Sequence, residues 1–191
     1  MKRFFCLLLS ALLIASLAAC AGQDQEEERI ERVVTRMFTC PDEGLVSLIM
    51  DNPIYIDGSV QPDEDLLLKR QQAEEQYAEH LKTVFTAEDL TEDYQQQFCG
   101  RIYAALTFPS ACVGMEMSIA VESVTVELIS EDNRRYGYSA ELVITDQNGE
   151  KTPYTQEGKV QLSEDGRVSW IDIKPLLELS DIIVRISNGM V

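Results

Sequence analysis

Residues 135–166 read RYGYSAELVITDQNGEKTPYTQEGKVQLSEDG, and this stretch decides the fold. Tyr136, Tyr138, Ala140, Leu142 and Ile144 occupy every second position. Successive side chains of extended backbone point to opposite sides, so all five fall on one face of a strand. Asp146-Gln147-Asn148-Gly149 then interrupts the pattern with turn-forming residues, and Asp165-Gly166 does so again. Two hairpin turns predict three consecutive antiparallel strands, the second over Tyr154–Ser163 and the third over Arg167–Lys174. Upstream, Met117 to Ile129 alternates and is rich in Val and Ile, and Ser130–Arg135 supplies the turn that makes it a fourth strand. Pro175 ends the meander. The tail from Leu176 fits a helix through Leu179, Ile183 and Ile186 or a further strand, and both readings stay open.

The first half has a different period. Ile30, Val33, Val34, Met37 and Phe38 follow the three-four spacing of one buried helical stripe. Pro41 restarts the chain, Asp42 and Glu43 suit a helix's first turn, and Leu45, Leu48 and Ile49 continue it to about Met50. Asp51-Asn52-Pro53 and Asp57-Gly58-Ser59 mark a loop. A third helix starts at an Asp63 or Asp65 cap and lines up Leu66, Ala73, Tyr77, Leu81, Val84 and Phe85. Thr86 and Asp89 are spaced as a capping box for a short fourth helix, which Gly100 stops. Helices gathered in the first half and a meander in the second predict an α+β fold: a single domain over 27–191 with the greasy face of a curved four-stranded antiparallel sheet against the helices.

The N-terminus is not part of that domain. Lys2 and Arg3 precede an uncharged, largely apolar run from Phe4 to Leu17, and Leu17-Ala18-Ala19-Cys20 closes it with small residues before a cysteine. This is the composition of an export signal. The last four residues resemble the lipobox of bacterial lipoproteins. The resemblance implies cleavage after residue 19, lipid on Cys20, and a polar tether over 20–26. Two acyl chains give lasting attachment, at about 0.8 kcal/mol per buried methylene. The competing reading is an uncleaved membrane-spanning anchor over Phe4–Gly22. Either way the domain lies outside the cytoplasm, lipid-anchored to the outer face of the cell membrane in the first case. Cleavage would take the net charge from −17 to −19, since Lys2 and Arg3 leave and no acid does. That excess argues against nucleic acid, whose phosphates demand clustered Lys and Arg, and against adsorption to anionic headgroups.

The order of three or four helices followed by a four-stranded meander is similar to the NTF2-like (cystatin-like) α+β superfamily, over roughly residues 27–174. Small Firmicutes lipoproteins often look like this. The resemblance implies a cone with a cavity between helices and sheet, used by some members for isomerase or dehydratase chemistry and by others for binding or for pairing, as a homodimer, through the open face of the sheet.

Within that frame a few residues stand out. His80, the single imidazole of the chain, follows Tyr77 by three and precedes Val84 by four, so it borders the buried stripe. It suits a general base at the cavity mouth or a boundary residue with one nitrogen bonded. A buried carboxylate would gain a raised pKa and base character. Asp172 shares parity with Val168 and Trp170, and Glu122 is in step with Val124 and Val126, so these two are the candidate acids. Tyr136, Tyr138, Tyr154 and Trp170 line a pocket or pack across strands. With Cys6 in the leader and Cys20 acylated, Cys40, Cys99 and Cys112 remain, an odd number in an exported chain. Cys99–Cys112 is the most natural bond, worth up to about 3 kcal/mol in the chain-entropy model; Cys40 with either partner stays open. Nothing in the spacing brings a cysteine to His80. No phosphate loop, hydrolase order, zinc spacing or calcium loop appears, so no cofactor and no metal is expected. The leading expectation is a non-enzymatic tethered domain that binds a small apolar ligand or an envelope protein; the rivals are an enzyme with a cavity acid and an assembly module.

Overall fold

A computed structural model describes residues 23–42, 44, 46, 64–103, 108–172 and 174–190. The leader, Cys20, the predicted second helix apart from Pro41, Asp42, Gly44 and Val46, and the predicted loop at 51–53 and 57–59 lie outside the described residues. The chain is α+β, with helices first and a four-stranded antiparallel sheet after them in the order β1-β2-β3-β4. Helix α1 covers residues 23–38, so it begins inside the stretch expected to be tether. Its stripe Ile30, Val33, Val34, Met37 and Phe38 is wholly buried, as the spacing predicted. Helix α2 is Glu64–Val84 and buries Ala73, Tyr77 and Leu81.

The Thr86–Asp89 pair is not the cap of a helix. The Asp89 N–H donates to the Thr86 carbonyl at 3.0 Å and the Leu90 N–H to the same oxygen at 2.9 Å, a turn; helix α3 starts later, at Glu92–Gln97. Nor does Gly100 stop it. The backbone continues as a π-helical turn, Phe98–Ile102, in which the Tyr103 N–H reaches the Phe98 carbonyl five residues back. In an α-helix residues five apart diverge by about 140°. The wider turn swings them together, with ring centroids 5.4 Å apart. Phe85 and Phe108 pack on the same pair at 5.1 and 6.0 Å. A short helix α4, Phe108–Gly114, precedes the sheet, and α5, Lys174–Ser187, follows it, which settles the tail as a helix burying Leu176, Leu179 and Ile183.

The strands are β1 Ser118–Ser130, β2 Arg135–Thr145, β3 Lys151–Leu162 and β4 Val168–Ile171. Both predicted turns are present. Gly149 and Gly166 sit at φ of 81° and 80°, where a side chain would strain the backbone. The five residues of β2 that decided the fold are all buried, and Phe38 of α1 packs on Tyr138 at 6.2 Å between ring centroids. The outward face is polar: Thr155 Oγ1 donates to Glu141 Oε2 at 2.9 Å, beside exposed Thr125, Glu157 and Lys159.

Each outer edge of the meander receives one bridge from the helical half. On β1, Cys40 exchanges backbone hydrogen bonds with Ile119 at 3.0 and 2.7 Å. On β4, the Val168 N–H donates to the Asp89 carbonyl at 2.8 Å and the Thr91 N–H to the Val168 carbonyl at 2.9 Å. Asp89 itself is buried, and its carboxylate takes Arg32 Nη2 at 2.7 Å and Arg36 Nη1 at 2.6 Å, both from α1.

Candidate functional site

The sequence places His80 beside the buried stripe of α2, and its burial there is intermediate. Its Nε2 sits 2.6 Å from Asp42 Oδ1, with the His80 side chain 24% exposed and that of Asp42 39%. Asp42 follows a cis Cys40–Pro41 bond, and its carbonyl accepts the Val46 N–H at 2.9 Å, opening a helical turn. Gly44 on that turn lies close against the imidazole: a Cβ there would come to 3.0 Å from His80 Nδ1 and closer still to Cε1. Asp42 and Gly44 thus hold the ring from two sides.

The pair opens onto a pocket of about 490 Å³ between the end of α1 and the second half of α2. Leu81, Val84, Phe85 and Pro109 supply apolar lining, and Arg36, whose guanidinium is engaged by Asp89 at 2.6 Å, lines it together with Asp42 and His80. Cys40 lines the same pocket, which sequence spacing did not indicate. Its thiol is nevertheless a poor nucleophile. It donates to the Pro109 carbonyl at 3.6 Å, and contact with the Cys112 thiol together with burial pushes its pKa up, favouring the protonated form.

The two candidate acids stand elsewhere. Glu122 falls at a bulge between Val121 and Ser123 and is exposed, so its parity with Val124 does not carry it inward. Asp172 lies just past β4, where its Oδ1 accepts the Lys174 N–H at 3.1 Å. It borders a groove of about 420 Å³ that also takes in Lys159, Lys174 and Glu178. A register shift between Gln161 and Leu162 breaks the alternation of β4: Val168 and Ile171 are buried while Trp170 is 39% exposed. Trp170 therefore does not line the interior with the tyrosines. The Arg135 guanidinium lies over its ring at 5.5 Å on the outward face.

The tyrosines do face inward. Tyr136 donates to Glu26 Oε2 at 2.6 Å, and burial followed by that carboxylate raises its pKa. Glu26 also pairs with Arg134, so the first turn of α1 is fixed to the β1–β2 turn. Tyr138 runs over Gly158, and its hydroxyl is buried with no hydrogen-bond partner among the described residues. Tyr154 is half-buried, and its pKa is raised by burial. Of the three, Tyr138 also lines the groove beside Asp172.

Cys40, Cys99 and Cys112 are all buried and unbridged; the Cys112 thiol acts on that of Cys40, whereas the charged groups that act on Cys99 are Lys82 and Glu79. Among the described residues no group of three or more His, Cys, Asp or Glu is placed to hold a metal ion, and no helix is long and apolar enough to cross a membrane. Comparison with family models, with curated proteins and with solved structures finds no match.

Proposed function

We propose that the protein is a lipid-anchored extracytoplasmic lipoprotein, cleaved before Cys20, whose NTF2-like domain binds a small molecule in the pocket beside His80 and leaves it chemically unchanged. The observation that carries the binding reading is the pocket: about 490 Å³, lined by apolar residues and by the Asp42–His80 pair. Small-molecule sites run from roughly 300 to 1,000 Å³ with this same mix. The chemistry suits a ligand with an apolar body and a hydrogen-bonding head that meets the Asp42–His80 pair. Support for binding over catalysis comes from the protonated, buried Cys40 thiol and from the positions of Asp172 and Glu122 outside the interior. The anchor reading rests on the leader and on Leu17-Ala18-Ala19-Cys20. Since α1 already runs from residue 23, such an anchor would keep the pocket within a domain's reach of the bilayer. The NTF2-like assignment rests on the order of helices and meander.

Native mass spectrometry of the full chain extracted from membranes in mild detergent tests both halves. The expected result is an acyl mass on Cys20 and a small molecule released on denaturation. Val84→Trp, which fills the pocket, should release that molecule while leaving the circular dichroism spectrum unchanged. An unmodified Cys20 sinks the anchor, and a Trp variant that retains as much ligand sinks the pocket. A single envelope protein crosslinked equally by both forms would move the reading to a protein partner.

A further inference from the structure

The three cysteines of the domain are not equivalent. Cys99 is fully buried in the π-helical turn, within electrostatic range of Glu79 and Lys82 of α2, and burial pushes its thiol up to about 12. Cys40 and Cys112 are neighbours. The Cys112 thiol is near enough to that of Cys40 to be the main influence raising its pKa. The Cys40 thiol also reaches the Pro109 carbonyl of α4, three residues before Cys112, at 3.6 Å. Backbone bonds fix both residues against the same strand. Cys40 exchanges two with Ile119 at 3.0 and 2.7 Å, and the Met117 N–H donates to the Cys112 carbonyl at 2.8 Å. The pair therefore sits where the end of α1, the body of α4 and the start of β1 converge.

We propose that Cys40 and Cys112 form a disulfide in the exported protein, and that Cys99 stays a free thiol. The inference rests on the extracytoplasmic reading, because disulfides form and persist in oxidising compartments. The oxidant is an external disulfide donor. One cysteine thiolate attacks the donor's S–S bond and releases a thiol; the second thiolate attacks the mixed disulfide and releases the other. Two electrons and two protons pass to the donor, and one S–S bond forms in the protein. Both thiols are buried in the folded domain and that of Cys40 is held protonated, so the exchange belongs to folding, before α4 closes over the pair. The bond would staple residue 40 to residue 112 across the whole helical layer.

The test is differential labelling of the full chain. Membrane extract is denatured in N-ethylmaleimide, reduced, treated with iodoacetamide and mapped by peptide mass. Iodoacetamide on Cys40 and Cys112 and N-ethylmaleimide on Cys99 is the expected result. N-ethylmaleimide on Cys40 or Cys112, in a chain whose Cys20 carries the acyl mass, overturns the pairing. A bare Cys20 refutes the anchor independently. The pairing is then judged by refolding the denatured, reduced full chain with glutathione disulfide: a predominant Cys40–Cys112 bond supports it, and a bond to Cys99 or three free thiols overturns it.

Discussion

Gly158 and Tyr138 face each other in adjacent strands, and their contact shows how a residue's absence of side chain can be structural. A Cβ on Gly158 would lie 2.5 Å from Tyr138 Cζ and 2.8 Å from Cε1, distances no packed pair tolerates. Tyr138 is itself buried, with Phe38 packed on its ring, so it has little room to retreat. Gly158→Ala should therefore destabilise by about 1–3 kcal/mol, the usual cost of overpacking, read as a fall in the urea midpoint with unchanged slope. An unchanged midpoint would mean that the ring moves freely. The Tyr138 hydroxyl gives a second, opposite expectation. It is buried without a partner among the described residues, and an unmade hydrogen bond costs stability. Tyr138→Phe should leave stability within about 0.5 kcal/mol of the parent or raise it; a loss above 1 kcal/mol would reveal a bonding role for the oxygen.

At the level of elements, the loop between α2 and α3 carries the joint between the helical layer and the sheet. The turn from Thr86 to Asp89 aims the Asp89 carboxylate at Arg32 and Arg36 of α1, while the Asp89 carbonyl pairs with Val168 of β4. Asp89→Asn keeps the shape and removes the charge. Breaking a buried pair costs 3–5 kcal/mol; here both arginines are partly exposed and can turn to water, so a loss of about 2–3 kcal/mol is expected in thermal or urea unfolding. A loss below 0.5 kcal/mol would show that the backbone pairing alone makes the joint. This element also marks where the sequence stops being legible. The alternation of β2 and the stripe of α1 were read directly, because burial on one face leaves a period in the chain. A Thr-x-x-Asp pattern serves a plain turn as well as a helix start, so the cap was misplaced. Bulges and register shifts flip parity without changing composition, which is why Glu122 and Trp170 were put on the wrong face. Helix α4, Phe108–Gly114, is too short to show a period. The site was less legible still: Asp42 and His80 meet only because a turn after α1 folds back onto α2, and no spacing along the chain encodes that.

At the scale of the whole molecule, the acids among the described residues lie mostly at the surface, while the titratable groups with the largest upward shifts lie in the core. Burial pushes the Tyr94 phenol up to about 12, although the Ile171 backbone bond opposes part of the rise, and burial pushes the Cys99 thiol up to about 12 as well. Tyr94 is structural: its oxygen accepts the Ile171 N–H at 2.9 Å and so holds β4 to α3. In the unfolded chain a phenol ionises near pH 10 and a thiol near 8.5. Each folded-state value is raised above its unfolded value, so the stabilisation is fully present below the unfolded pKa, where both states are protonated. It is lost as pH climbs from the unfolded towards the folded value, because only the unfolded state releases protons there. The window runs from about pH 8.5 to 12, with a slope near 1.4 kcal/mol per pH unit for each group that has begun to titrate in the unfolded state. Urea midpoints should thus be flat from pH 7 to 8 and fall steeply by pH 10.5. In the reduced protein Cys99→Ala should make that fall shallower, whatever it costs at neutral pH, while leaving its onset near pH 8.5, where the Cys40 thiol, also raised in the folded state, still ionises in the unfolded chain. Parallel curves for the variant and the parent would show that Cys99 ionises as easily in the folded domain as outside it.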